Sequence, residues 1–354
     1  MSVANAIFSN LGAFLLSILM TLFVPYAGIE APVIDTKKDD CLFTIEMLSD
    51  THLEQTELLR PEFLKSGLRN LGWAKIDVNA VVVAGDITNY ADEPSLAEYF
   101  DIIKKYSPCP VITAAGNHDI GHVGDRDVTD ITREEAMANF IRYSNEYMGT
   151  NNEHNYFSTE IDGYTFIVIG DEVINGGHWD AMDMSQAQLD FLDAELARTT
   201  TEGKPVFVVC HWPVDDINGE NVIWPDSGID LSINNVKSIM EKYPNVFYIS
   251  GHMHSGIKCT YMYDKYGLSN VEQVNGVTYI NLPTYGIVNM FGLLQAGTGM
   301  QLEVYENEVI IRPRNFITNQ WFTNAAYTIE LTPVDTPATP DIEPGTEENT
   351  ESAN

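Results

Sequence analysis

The sequence predicts an α/β fold, because short apolar runs of strand character alternate along the chain with segments of helical period. A second observation sharpens this. Five of the runs are each followed at once by a polar block rich in Asp, Asn and His, the placement expected where an open α/β sheet binds ligands beyond the carboxyl ends of its strands. Leu42–Leu48 leads into Asp50-Thr51-His52, Val78–Ala84 into Gly85-Asp86, and Val111–Ala115 into Gly116-Asn117-His118-Asp119. Pro205–Cys210 leads into His211 and Val246–Ile249 into Gly251-His252-Met253-His254. Helical patterns fall between them at Ser95–Tyr106, Arg133–Tyr147, Ser185–Arg198 and Ser232–Tyr243. Thr278–Leu282, Met300–Tyr305 and Glu308–Pro313 read as a strand-rich finish.

The blocks have the chemistry of a metal centre. In an extended segment residues i and i+2 point to one side, so Asp50 and His52 are expected to converge, as are His252 and His254. The carboxylate of Asp86 has two oxygens and can bridge two cations at the roughly 3.5–4 Å separation of two-metal hydrolases. Asn117 adds a neutral carbonyl oxygen and His211 a further imidazole. Gly85, Gly116 and Gly251 stand where the chain leaves a strand and passes close to the ligands, a place for a residue without Cβ. Cys210, beside His211, is expected to face the other way as a small buried hydrophobe.

This order of blocks, D-x-H, G-D, G-N-H-[DE], H and G-H-x-H, resembles the calcineurin-like metallophosphoesterase superfamily, with no ligand missing, over about Leu42 to Phe316. The resemblance implies two mixed β-sheets packed face to face and flanked by helices, a four-layer arrangement. It assigns Asp50, His52, Asp86 and His254 to one metal, and Asp86, Asn117, His211 and His252 to the other. It also implies that His118 gives a proton or hydrogen bond to the substrate and that Asp119 orients the His118 imidazole. A His tuned in this way serves as a general acid near neutral pH. The ligand set, five imidazole or amide groups with two carboxylates, suits Mn, Zn or Fe better than Mg or Ca.

The first block is similar to the bacterial cyclic-nucleotide phosphodiesterase branch, which favours phosphodiesters. A phosphomonoesterase or nucleotidase with the same metals is the alternative, and a catalytically inactive scaffold is the reading from another class. Purple acid phosphatases are disfavoured because His52 and Asn89 stand where they carry Gly and Tyr. Trp212 occupies a position where many relatives have a second His, which alters the expected substrate wall.

The formal net charge of -32, from 19 basic and 51 acidic residues, would repel anions at long range. Two divalent ions against the carboxylates of Asp50 and Asp86 reverse that sign locally, so a small phosphate ester is the expected partner. So few cations disfavour an extended nucleic-acid surface. Four other residues have ordinary readings first: His122, His154 and His178 in loops, and Arg126 as a cation near the third block.

The expected organisation is a leader or anchor over 1–29, a linker over 30–41, one domain over 42–331 and a disordered acidic tail over 332–354. Ala6–Ile29 has no charge and holds a dense apolar run before Pro25. It reads as a cleaved signal peptide, with a retained anchor or a buried helix of a cytoplasmic protein as alternatives, because the usual positive flank is absent. Export to the cell envelope or outside is therefore expected, and a membrane or cell-wall tether through a terminus is left open. The tail carries six acidic residues and no basic one, leaving -26 without it. The four cysteines form no CxxC pair; in an exported protein Cys41 with Cys109 is the pairing to test.

Overall fold

The computed structural model describes residues 29–32, 37–73, 77–121, 131–172, 182–200, 203–225, 227–229, 231, 235–257, 269–286, 296–322 and 325–333. The leader or anchor run, most of the tail, His122, Arg126, His178 and Cys259 lie outside them.

One sheet has eight strands, β1 (Ile29–Pro32), β2 (Phe43–Leu48), β3 (Ala80–Ala84), β4 (Val111–Ala114), β11 (Thr298–Val304), β12 (Glu308–Asn315), β13 (Gln320–Phe322) and β14 (Tyr327–Glu330). Its order is β1-β13-β12-β11-β2-β3-β4, with β14 also on β12. The second has six, β5 (Phe157–Ile161), β6 (Tyr164–Val168), β7 (Val206–Val209), β8 (Val246–Ser250), β9 (Val271–Val274) and β10 (Val277–Asn281), in the order β5-β6-β7-β8-β10-β9. Both are mixed: β2-β3-β4 and β6-β7-β8-β10 run parallel, and their outer partners antiparallel.

Strand alternation builds the layers. In β2, Phe43, Ile45 and Met47 join Val82, Phe166, Phe207, Val209 and Phe247 in the cluster between the sheets. Leu48, Val81 and Val83 turn outward to meet Leu64, Leu68, Leu96, Tyr99 and Ile103 of helices α1 (Leu59–Trp73) and α2 (Glu93–Tyr106). On the far side Ile167, Val208 and Tyr248 meet Leu189, Leu192 and Met240 of α4 (Gln186–Thr199) and α5 (Val236–Met240). The result is the expected four-layer α/β/β/α stack.

Element ends follow local capping. Helix α2 starts before Ser95 because the Asp92 side chain accepts from the Ser95 amide and Pro94 fills a first-turn position. Helix α3 (Arg133–Met148) has a capping box between Thr132 and Glu135, and Ser185 caps α4 rather than beginning it. Absent from the sequence reading are helix α1, the short helix Glu220–Ile223, the hairpin β5–β6, strand β9 and its hairpin with β10, and strands β1, β13 and β14. Each hairpin has a two-residue turn with both φ angles positive, Asp162-Gly163 at 50° and 80° and Asn275-Gly276 at 49° and 87°. Strand β1 pairs Ile29–Pro32 with Gln320–Phe322, so backbone read as leader and linker adds to the sheet edge. Cys41, Cys109 and Cys210 are free thiols, so the Cys41–Cys109 pairing is not formed. Cys210 is buried against the Met182 sulfur, facing away from the blocks as expected. Among the described residues no helix is long and apolar enough to cross a membrane.

Candidate metal centre

All five blocks come together at the carboxyl ends of β2, β3, β4, β7 and β8. The backbone zips them to one another: Asp50 N donates to Gly85 O, His52 N to Asp86 O, and Gly251 N to His211 O. The convergence of ligands has a different cause from the strand alternation expected for it. Asp50, His52, Asp86, His252 and His254 all have positive φ, at 58°, 47°, 50°, 70° and 46°. For residues with a Cβ this left-handed region costs about 1–2 kcal/mol each, and such strain persists where surrounding structure over-determines it. Asp50 and His52 meet because both bend the chain, not because they share a strand face.

The glycines leave the room that the side chains need. A Cβ on Gly116 would lie 2.2 Å from Asp86 Oδ1, and one on Gly251 would lie 1.9 Å from Ser49 Oγ and 2.7 Å from Asp50 Oδ2. Gly85, at φ 84°, would press 2.7 Å from His211.

Two clusters share Asp86. One holds Asp50, His52, Asp86 and His254, and the other Asp86, His211 and His252. Asn117 joins the second, its Oδ1 lying 3.1 Å from His252 Nδ1. The two oxygens of Asp86 divide the work. Its Oδ1 accepts the His118 backbone N–H at 3.0 Å, while Oδ2 lies 3.2 Å from His211 Nε2 and 3.6 Å from His52 Nε2.

These atoms fit metal ions. His211 donates from Nδ1 to the Ala84 carbonyl at 2.7 Å, which leaves its Nε2 as a lone pair facing the cluster. His52 Nε2 and His254 Nε2 are 2.9 Å apart, and His252 Nδ1 is 3.2 Å from His211 Nε2. Asp50 Oδ2 is buried without a hydrogen-bond partner, and Oδ1 faces His254 Nε2 at 3.2 Å. Ring nitrogens this close and a buried carboxylate oxygen without a donor need a positive charge among them, and a shared cation supplies it.

Electrostatics divide the ligand imidazoles: His52 and His252 are held neutral, while His211 and His254, where burial opposes charging, are raised by Asp86 and Asp50 respectively. Burial holds the His52 and His252 imidazoles well below the usual range, so both stay neutral as ligands must. Burial opposes the charge on Asp86, yet His211 and His118 outweigh it and hold the carboxyl well below its usual range. His211 also resists charging through burial, but the Asp86 carboxylate pushes it up to about 9.

His118 takes a position beside the clusters, its Nε2 4.0 Å from Asp86 Oδ2. Its orientation corrects the expected role of Asp119. His118 Nδ1 pairs with the Asn89 backbone carbonyl at 2.8 Å. The Asp119 carboxylate instead accepts from Gly116 N, Ile87 N, Thr88 N and Thr88 Oγ1. It ties the second block to the third and contacts backbone because its side chain points down the turn at Asn117–Ile120. Burial, then the charge of Asp86, pushes Asp119 up to about 7 against those hydrogen bonds.

Three residues have supporting roles that the sequence reading did not assign. Asn89, held by Glu54 at 3.0 Å through its side-chain amide, fixes His118. Arg60 donates to the His52 carbonyl at 2.7 Å. Asn281 donates to Gly251 O at 2.6 Å and accepts from Ser255 Oγ at 3.0 Å, bracing both flanks of His252-Met253-His254. Asn89 had a readable signal, being three residues after Asp86, whereas Arg60 and Asn281 lie in segments without a motif. Trp212 is fully buried in the outer core, so it forms no substrate wall. His154 stacks on Tyr156 away from the blocks, in keeping with its ordinary reading.

Comparison with known proteins matches residues 43–256 to the family described as calcineurin-like phosphoesterase. Among solved structures, a purple acid phosphatase from yellow lupin (Lupinus luteus) seeds superposes with a TM-score of 0.54 at 12% identity, over 81% of this chain and 53% of that one. The chain thus spans about half the length of the lupin enzyme, and at 12% identity the likeness is one of fold. The phosphopantetheinyl hydrolase of Mycobacterium tuberculosis aligns at 14% identity and a TM-score of 0.40, over 70% of this chain and 90% of that one. The NAD nucleotidase of Haemophilus influenzae aligns at 12% and 0.42, over 81% and 49%. No curated protein matches the chain by sequence.

Proposed function

The chain belongs to the calcineurin-like phosphoesterases, hydrolases of phosphate esters, and from that premise we propose that it cleaves phosphodiesters with two transition-metal ions, Mn, Zn or Fe. The observation that carries this reading is the single Asp86 oxygen shared by two ligand clusters, with His118 Nε2 on its open side. When bound, two such ions supply a nucleophile near neutral pH and polarise the phosphoryl oxygens. The chain's own residues do the rest. Asp50, His52 and His254 hold one ion, Asn117, His211 and His252 the other, and Asp86 both. His118, oriented by the Nδ1–H bond to the Asn89 carbonyl, presents Nε2, and as the imidazolium it gives the Nε2 proton to the leaving oxygen and returns to the neutral Nδ1–H form.

The long-range field, unlike the local charge of the site, favours the diester. Two divalent ions less the Asp50 and Asp86 charges leave a local +2 in a chain of net -32, and the surrounding field opposes a monoester dianion more strongly than a diester monoanion. A phosphomonoesterase or nucleotidase remains the second reading, supported by the same ligand set. The test is turnover by the purified chain, loaded with Mn, Zn, Fe or Mg, on bis-p-nitrophenyl phosphate, p-nitrophenyl phosphate and cyclic nucleotides. The higher kcat/KM should belong to diesters. A reversed ratio selects the monoesterase, and no turnover with both ions bound selects an inactive scaffold.

The proposed location is beyond the cell membrane, on the strength of the uncharged apolar run Ala6–Ile29. Cell fractionation with amino-terminal mass spectrometry checks it. A start near Gly28–Val33 supports cleavage and an uncut membrane form supports an anchor, whereas an intact soluble cytoplasmic chain refutes export.

A further inference from the structure

The ligand imidazoles differ in what holds them. His211 donates its second nitrogen to Ala84 O at 2.7 Å, the usual way in which a metal-ligating His is oriented. His252 turns Nδ1 toward Asn117 Oδ1 and His211 Nε2; once a cation takes Nδ1 its proton sits on Nε2, which is buried and has no hydrogen-bond partner. The Trp224 indole lies parallel to this ring, with centroids 5.1 Å apart and planes 9° apart. We propose that Trp224 is a positioning residue that fixes the His252 ring by stacking, in place of the absent hydrogen bond, and so sets the affinity of the second ion.

The loop that carries Trp224 is built to hold it still. Glu220 accepts from Asp216 N at 3.2 Å and from Ser227 N at 3.0 Å, closing the chain on both sides of the tryptophan. Trp224 N donates to Glu220 O, and Ser227 N to Trp224 O. The stack should also favour the loaded state. A metal-bound imidazole is electron-poor, and the indole face attracts positive charge more strongly than any other aromatic face. Trp212, the neighbour of His211, is tilted 37° to His252 at 6.1 Å and supplies no parallel face.

This inference rests on the two-metal reading, and its test is metal binding rather than turnover. The full chain and its Trp224→Phe, Trp224→Leu and Trp224→Ala variants are titrated with Zn in chelator buffers and assayed by elemental analysis. His211→Ala marks which of the two binding steps belongs to the second ion. Trp224→Leu and Trp224→Ala should weaken that step by about 10–100-fold, the range for lost outer-shell partners, while Trp224→Phe stays within about threefold and the other step is unmoved. Unchanged steps in the Leu and Ala variants, or a Phe variant as weak as Leu, would overturn the proposal. If Trp224→Ala does not fold, the Phe and Leu pair still decides, because both fill space and only one has a ring. A wild-type chain binding fewer than two ions would refute the metal reading itself, whereas two unshifted ions in Trp224→Leu refute only the role of Trp224.

Discussion

Strand β2 carries two buried carboxylates with opposite fates, Glu46 within the strand and Asp50 just beyond its end. Glu46 touches the guanidinium of Arg314 across the sheet, and neither residue has measurable exposure. Arg314 also bonds Asn319 at 2.8 Å, and Glu303 pairs with Arg312 nearby. This cluster brings its own counter-charges. Around Asp50 and Asp86 the near groups are imidazoles: burial keeps His52 and His252 neutral, it opposes charge on His211 and His254 although the carboxylates raise both, and Asp50 Oδ2 lacks a partner. The difference separates an ion pair whose counter-charge is a permanent guanidinium from a site whose counter-charges are titratable imidazoles that imported cations can replace.

Breaking the imported half should have the largest effect. Asp86→Ala removes a ligand from both ions, so it should strip more metal than any single His change and lower kcat/KM by about 10³-fold or more. Elemental analysis beside turnover checks it, and a variant that keeps both ions would break the comparison. His118→Ala should keep both ions yet lower turnover by about 10²–10⁴ on esters with poor leaving groups, and less on nitrophenyl esters that need little protonation. Equal losses would make His118 a phosphoryl-binding residue, and loss of metal would make it a ligand.

The structural half should respond in stability alone. Arg314→Met leaves Glu46 buried without its cation, at a cost of about 3–5 kcal/mol in urea unfolding, and adding Glu46→Leu should restore most of it. Metal content should not change in either variant. A smaller effect comes from pH. Burial, against the pull of Arg314, pushes Glu46 up to about 7, leaving its Oε2 without a hydrogen bond. Its folded pKa is thus raised above the unfolded value near 4.5, and stability from this group is full below that value and lost as pH rises through about 7. The difference in urea stability between wild type and Glu46→Gln should therefore change by up to about 3 kcal/mol between pH 4.5 and pH 8. A flat difference would place the folded pKa of Glu46 at its ordinary value.

How much of this was legible depended on what each feature is made of. The five ligand-bearing strands could be read because they are short apolar runs ending in unusual residue types, and Asp50, His52, Asp86, Asn117, His211, His252 and His254 do meet. Their backbone conformation could not be read, since Asp and His tolerate left-handed φ but do not require it. Asp119 misled because adjacency to His118 in sequence is not contact in a tight turn. Helix α1 has a regular stripe of Phe63, Leu64, Leu68 and Leu71, but Pro61 and Gly67 on the same face weaken its helical signal, and the Asp162-Gly163 and Asn275-Gly276 turns were legible signals left unused. The partners of Glu46 and Arg314 are 268 residues apart, a pairing fixed only by strand register.

The central claim, that Asp50 and Asp86 mark a site completed by imported cations, is tested most directly by counting them. The wild-type chain, stripped by chelator, reconstituted with Mn, Zn or Fe and passed through a desalting column, should retain two ions per chain by elemental analysis. Retention of one ion or none, at a protein concentration where the fold is intact, would contradict it.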